Sequence, residues 1–304
     1  MIGRLLARLK RGGAAYERPY QAYLYILPGF AVYLVFVLIP IVSTLRYSLF
    51  EWTGFSEPVY VGLANYAALL DDANFWNALG NNVFFVVFYT LFPILLGLLL
   101  TSLLTRSRLR GMALFRTGLF IPQVMSGVVV GVIWRWLFAL NGPINSLLNQ
   151  VGLGAAARPW LGDFSAAPYA AGFVGTWVEY GLCMVLFIAG AQAINEDLYD
   201  AARVDGANAW QQFLYVTLPG LQQQLLVGFV ITFIAALRVF DLVFVLTKGG
   251  PGKQTEVVSM LIYEEAFEYR RAGYAASMAL ALSMIIVAVS ATVFVLQSRR
   301  GDEA

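Results

Sequence analysis

Glu179, Arg238 and Asp241 stand inside long apolar runs of the chain, where a charge is costly. An ionised side chain at the centre of a membrane helix costs about 2.5–3.5 kcal/mol even on the milder insertion scales, so each one needs a reason. Arg238 and Asp241 are three residues apart and can pair on one helix face. One reading is an internal ion pair that holds helices together, or a snorkelling pair near the interface. The other is the polar lining of a hydrated path for a polar solute, with Trp177 and Tyr180 offering flat faces on either side of Glu179. Both readings stand on the residues alone. Arg135, close to a loop, reads as an interfacial anchor. There is no histidine, which removes imidazole bases and imidazole metal ligands together. The single cysteine, Cys183, lies in an apolar run and reads as a small buried hydrophobe, with no disulfide partner in the chain. The remaining membrane charges show neither paired-carboxylate nor Ser-Lys spacing, so no catalytic set and no metal set emerges. Gly249-Gly250-Pro251-Gly252-Lys253 invites a phosphate-loop reading and fails it. That pattern needs glycine where Thr247 stands and serine or threonine where Gln254 stands. A turn outside the membrane accounts for these residues better.

The elements that would position these residues are membrane helices. Of 304 residues, 60% are hydrophobic and 12% charged, against roughly 25% charged in soluble domains. That excludes an ordinary cytosolic globule and implies an all-α integral membrane chain in contact with lipid. A net charge of +2 gives no support to a nucleic-acid partner. Apolar runs place six spans at about 22–45, 79–104, 113–137, 169–193, 221–246 and 274–296. Residues 1–20 form a basic N-terminus with Arg4, Arg8, Lys10, Arg11 and Arg18, and 21–304 form one membrane domain. The first span reads as an uncleaved addition before a five-span core. The stretch Glu51–Asn77 after span one has no Lys or Arg, which puts both termini in the cytoplasm of a cell-membrane protein. Arg106, Arg108 and Arg110 after span two agree with that. Lys248, Lys253, Arg270 and Arg271 in the last loop do not, and the early segments are given precedence. No matching pair of broken helices is visible.

Between spans four and five lies a charged, small-residue segment, Asp200-Ala201-Ala202-Arg203-Val204-Asp205-Gly206-Ala207, leading to Val216-Thr217-Leu218-Pro219. On one continuous helix, Leu198, Ala202, Gly206, Ala209 and Phe213 share a narrow face, and the three small residues leave a notch. Pro219 is expected to close the helix. Read plainly, this is a surface helix rich in good helix formers.

The spacing resembles the cytoplasmic signature of permeases of ABC importers: Glu-Ala-Ala, three residues, Gly, nine residues, Ile-x-Leu-Pro. Asp200 stands for the glutamate and Val216 for the isoleucine. Gly142-Pro143-x-Asn145, Trp160-Leu161-Gly162-Asp163, Phe240-Asp241, the Gly249–Gly252 turn, Thr255, Tyr263, Phe267 and Gly273-Tyr274 are similar to the sugar-permease type. The resemblance runs from about Tyr23 onward and implies a type I importer permease fold with six transmembrane helices and a coupling helix between spans four and five. It implies that Asp200, Ala201, Ala202, Asp205, Gly206, Ala209, Leu218 and Pro219 seat against an ATPase. It implies ATP bound by that partner and no cofactor in this chain. It further implies a second permease subunit in a heterodimer, two ATP-binding cassette subunits and an extracytoplasmic solute-binding protein. The alternative from another class is a transporter driven by an ion gradient, whose broken-helix pairs are not expected here.

Overall fold

The computed structural model describes residues 19–105 and 111–301. The basic stretch expected at 1–20 therefore falls almost wholly outside the described residues, as do Arg106, Arg108 and Arg110. Four described helices are long and apolar enough to cross a membrane, and two bent pairs bring the number to six.

Helix α1 (Pro19–Tyr33) runs through a π turn at Leu34–Leu38 into Ile39–Tyr47. A short antiparallel hairpin follows, β1 (Phe50–Glu51) against β2 (Val59–Tyr60), and then α2 (Ala64–Leu70). Helix α3 (Ala73–Val86) starts at Asp72, whose side chain accepts the Asn74 N–H, and continues through a π turn at Val87–Leu91 into Phe92–Thr105. Next come α4 (Met112–Val124), α5 (Gly127–Leu137), α6 (Pro143–Gln150) and the long α7 (Ala167–Gln192). The chain then forms α8 (Glu196–Val204), α9 (Ala209–Gln212, carried on to Gly220) and α10 (Gln222–Arg238). It ends with α11 (Asp241–Leu246), α12 (Val258–Tyr263) and α13 (Ala272–Gly301).

Proline placement explains where these helices continue and where they break. Pro40, Pro93 and Pro219 each follow a π turn after one intervening residue. In each case the N–H of the residue just before the proline reaches back five residues: Ile39 to Leu34, Phe92 to Val87 and Leu218 to Phe213. The wider turn absorbs the N–H that proline lacks, so the helix runs on. Pro122 has no such turn before it. Three residues later Met125 and Ser126 are extended, and α4 and α5 meet at 97°. The third span is thus two helices rather than the one expected.

The fifth span is also interrupted. After Arg238 the backbone leaves the helix at Val239 and Phe240, and α11 starts afresh at Asp241. Carbonyls stranded inside a membrane must find donors. Asn82, wholly buried on α3, donates to Ala236 O (3.1 Å) and Leu237 O (3.3 Å) and accepts the Val258 N–H (2.9 Å). The two interrupted spans pack on each other through α5 and α11. Contrary to expectation, the chain does carry a pair of broken spans. Apolar content reports burial and cannot report a backbone break whose donors come from a distant helix.

Helix α7 is the centre of the packing. It lies against the second half of α3 and against α4, and its buried residues run from Ala167 to Ala191. Gly175 lets the Tyr89 ring sit on its backbone; a Cβ there would fall within 2.0–2.5 Å of ring atoms. Small residues permit this close approach between membrane helices. Helix α1 is by contrast exposed over most of its length, and only its Ile39–Tyr47 end packs, against α13.

Candidate functional site

The segment between spans four and five is an elbow of two helices. Asn195 starts α8 by accepting the Asp197 N–H at 3.0 Å, and Glu196 and Asp197 in the first turn suit the positive end of the helix dipole. Arg203 in the last turn pairs with Asp200 at 2.9 Å across two exposed side chains. The helix then stops at Gly206, whose φ of +78° favours glycine. The Ala207 N–H reaches Ala202 O (2.9 Å) and the Gly206 N–H reaches Arg203 O (3.1 Å), the paired bonds of a Schellman C-cap. Two residues later Asn208 and Gln211 exchange side-chain and backbone bonds of 2.8 and 2.9 Å, a capping box that starts α9.

This corrects the expected notch. Ala202 and Ala209 lie on different helices with the turn at Gly206 between them, so Leu198, Ala202, Gly206, Ala209 and Phe213 do not form one face. A glycine at a capping position outweighs the helical periodicity of its neighbours. Pro219 does not close α9 either, because the π turn carries the helix to Gly220, where the chain turns by 70° into α10. The elbow is tied to itself by Tyr199 Oη and Thr217 Oγ1, 3.0 Å apart. It is seated in the body by buried Leu221, which packs with Cys183, Phe187 and Ala191.

Asp200, Ala201, Asp205, Gly206, Ala209 and Pro219 are exposed, and Ala202 and Leu218 are half-buried. Around them stand large apolar side chains that the spacing alone did not single out. Val204 is 89% exposed, Tyr215 77% and Trp210 65%. Leu198 on the outer face of α8 joins them. They stand on both arms of the elbow, Leu198 and Val204 on α8 and Trp210 and Tyr215 on α9 and its continuation. Asn208-x-x-Gln211 was a readable signal for that elbow.

The residues read as a polar path do not converge. On α7, Glu179 is buried and points to the side opposite Trp177 and Tyr180, which share a half-buried face. Glu179 Oε2 and the Oη of buried Tyr89 both lack hydrogen-bond partners. Trp177 packs edge-on against Trp134 of α5 with ring centres 5.4 Å apart. Arg238 and Asp241 are both exposed and form no ion pair among the described residues. The break at Val239–Phe240 lies between them and removes the helical spacing that would have joined them. Asp241 instead faces the start of α5, where a Cβ on Gly127 would lie 3.4 Å from the Asp241 Cβ.

The other marked residues lie mostly in the segments between spans three and four and around the end of span five. Asn145 joins two of the sequence stretches: its amide donates to Leu140 O (3.0 Å) and Arg158 O (2.9 Å), and its Oδ1 accepts the Trp160 indole N–H (2.8 Å). Just ahead of α7, Asp163 accepts the Ser165 hydroxyl (2.6 Å) and the Ala166 and Ser165 N–H groups, and these bonds, the hydroxyl's first, hold its carboxyl below the usual range. The Gly249–Gly252 stretch is a turn, as expected, with the Thr255 hydroxyl donating to Gly250 O at 2.8 Å. Phe240, Phe244, Tyr263 and Phe267 stack in one aromatic group beside it. No group of three or more metal-ligating side chains occurs among the described residues.

Comparison with known proteins agrees with this architecture. The model of the binding-protein-dependent transport system inner membrane component family matches residues 83–301. The probable ABC transporter permease protein YurN of Bacillus subtilis is 38% identical over 271 residues, covering 88% of this chain and 92% of that protein. The trehalose/maltose transport system permease protein MalF of Thermococcus litoralis is 33% identical and covers 99% of both chains. The probable starch degradation products transport system permease protein AmyD of Thermoanaerobacterium thermosulfurigenes is 31% identical, over 92% and 95%. Among solved structures, a chain of a bacterial ABC transporter involved in the import of alginate superposes with a TM-score of 0.79 at 22% identity, over 97% of this chain and 99% of that one. An all-helical membrane body, the elbow between spans four and five and these matches together place the chain in the family of inner membrane components of binding-protein-dependent transport systems.

Proposed function

We propose that this chain forms half of the pathway of an ATP-driven importer for a sugar or related polyol, working with a second permease subunit. The observation that carries the reading is the α8–α9 elbow. It presents the Asp200–Pro219 signature and a ring of exposed apolar side chains on a rigid, doubly capped turn. Two separate ATPase subunits bind the nucleotide and dock on these elbows from the cytoplasm, and a solute-binding protein delivers cargo from outside. Closure of the ATPases around ATP carries the elbows together and turns the pathway outward. ATP drives this only through tighter binding to one conformation, since equal binding shifts nothing. AmyD and MalF are named for the transport of starch degradation products and of trehalose and maltose, which supports carbohydrate as the cargo. Trp177, Glu179, Tyr180, Arg238 and Asp241 are assigned to the pathway, completed by the partner's helices.

The test is uptake in vesicles that hold the complex co-purified with its ATPase and solute-binding protein, without any ion gradient. ATP-dependent uptake of a sugar is the expected result. The paired broken spans favour one second reading, since ion-driven transporters build their sites from such helices. Uptake that follows an imposed gradient and ignores ATP would establish that reading and overturn the first. A direct probe of docking replaces Cys183 with Ala and introduces Ala209→Cys. Nucleotide-dependent crosslinks to cysteines in the ATPase are expected, and a transporting complex without any would remove the elbow from the interface.

A further inference from the structure

Behind the elbow, where α3 ends and α4 begins, lies a cavity of about 610 Å³. Its walls include Thr101, Ser102, Arg116, Glu196, Tyr199 and Arg203. Two guanidinium groups and several hydroxyls thus face one carboxylate. Glu196 sits in the first turn of α8, where the helix dipole already favours it. Arg203 shares its charge with Asp200. Among the described residues Arg116 has no carboxylate partner. Its Nη2 donates to Leu104 O at 3.1 Å, in the last turn of span two, and its buried Nε meets no acceptor among the described residues. A buried guanidinium donor without an acceptor is uncommon, and guanidinium suits a phosphate by shape as well as by charge.

The surroundings identify the source of such a phosphate. Thr101 and Ser102 stand about one turn from the end of span two, and lipid headgroups meet a spanning helix at its ends. On the same turns and beside Arg116, Leu99, Leu103 and Phe115 are more than half exposed. An oxyanion pocket bordered by apolar surface matches a lipid with a charged head and two acyl chains. Basic pockets between helices on the cytoplasmic side bind such headgroups.

We propose that this cavity binds the phosphate of an anionic phospholipid, with Arg116 as the principal cation and the acyl chains lying along Leu99, Leu103 and Phe115. Occupancy would stiffen the junction of span two, span three and the elbow, since all three contribute walls. The proposal needs only a membrane-embedded chain and does not depend on which solute is carried.

The experiment is native mass spectrometry of the full-length chain, stripped of lipid in detergent and titrated with phosphatidylglycerol or phosphatidylcholine. Preferential retention of phosphatidylglycerol is expected. Arg116→Gln should weaken it about fivefold, the effect of one basic side chain at an anionic surface. Arg116→Gln also removes the bond to Leu104, so Ser102→Asp provides an independent probe. It leaves that bond in place, adds a like charge to the cavity and should weaken retention at least as much. Equal retention of both lipids, or variants that bind as the parent does, overturns the proposal. A parallel series with inorganic phosphate separates the two sources. Retained phosphatidylglycerol that falls in excess phosphate places the lipid head on the oxyanion site, whereas Arg116-dependent phosphate binding with equal retention of the two lipids keeps the oxyanion chemistry and overturns the lipid as its occupant.

Discussion

The chain is interrupted at two kinds of place, and they are stabilised differently. The elbow at Gly206 lies on the surface, and its breaking signals are its own neighbours: a glycine at φ +78° and an Asn208–Gln211 capping box. A Cβ on Gly206 would meet nothing within 4 Å. The break at Val239–Phe240 is surrounded by packed helices, and the groups that satisfy it sit on Asn82, more than 150 residues away in the chain. Water can complete a break on the surface. Inside the membrane another helix must do so, which makes the fifth-span break a property of the assembled bundle.

The largest test of that difference removes the remote tether. Asn82→Leu leaves two carbonyls and the Val258 N–H buried without partners, and each such group costs about 1–3 kcal/mol. We expect a loss of about 3 kcal/mol or more, read as a clearly lower melting temperature in detergent. Asn82→Asp keeps an acceptor for Val258 and loses both donors to α10, so it should also destabilise. A melting temperature unchanged in both variants would show that the break closes without Asn82.

A local break should respond to backbone conformation and leave the spans alone. Gly206→Val forces a β-branched residue to positive φ, at a cost of about 1–2 kcal/mol or more, while Gly206→Asn tolerates that region far better. The expected outcome is weakened ATPase retention and lost transport in the valine variant, a milder effect in the asparagine variant and an unchanged melting temperature in both. Equal damage from the two would point to lost docking space rather than strain. Smaller still is Asn208→Ala, which removes the capping box at about 1 kcal/mol. Faster amide exchange confined to Ala209–Gln212 is the expected signature, and exchange spreading into α10 would contradict the local character of the elbow.

The smallest effect concerns a third region, the loop at 247–268, where remote tethers and charge act together. Asn81 holds Lys253 O and Glu256 O at 2.9 and 2.8 Å, and buried Glu256 faces Lys253 at 3.5 Å. Burial raises the Glu256 carboxyl above its usual range, and burial with the neighbouring Glu256 and Glu268 raises that of Glu264. A raised carboxyl binds more protons in the folded loop than in the unfolded one. Stability then falls as pH rises from the unfolded to the folded value and levels off above it. Amide protection across 247–268, taken relative to the intrinsic pH dependence of exchange, should therefore rise on acidification toward the ordinary carboxylate range, and Glu256→Gln should flatten the response. The opposite slope would mean that the Lys253 pair outweighs the burial.

Much of this was legible beforehand because it rests on local chemistry. Long apolar runs specify membrane helices whatever their neighbours, and the Gly249–Gly252 cluster specifies a turn through its own backbone. The Asp200–Pro219 spacing marked the segment that folds as the elbow, and the Asn208-x-x-Gln211 pair would have divided it at the observed turn. The straight notch was misread because helical periodicity cannot register a residue that leaves the helix.

Other features exist only in the folded chain. Arg238 and Asp241 are three apart in the sequence, yet the break between them leaves them unpaired, and that break is stabilised from α3. Glu179 turns away from Trp177 because α7 is buried on the side that meets Tyr89. Span three bends at Met125 while Pro40 and Pro93 sit in continuing helices, a difference made by the π turn that precedes each of the latter two. The sequence by itself determined the class of the chain, its apolar helices and the place of its surface elbow, since those depend on solvent and on adjacent residues. Only the tertiary structure decided where the membrane helices break and which polar groups meet, because donors and acceptors withdrawn from water must be matched across the bundle.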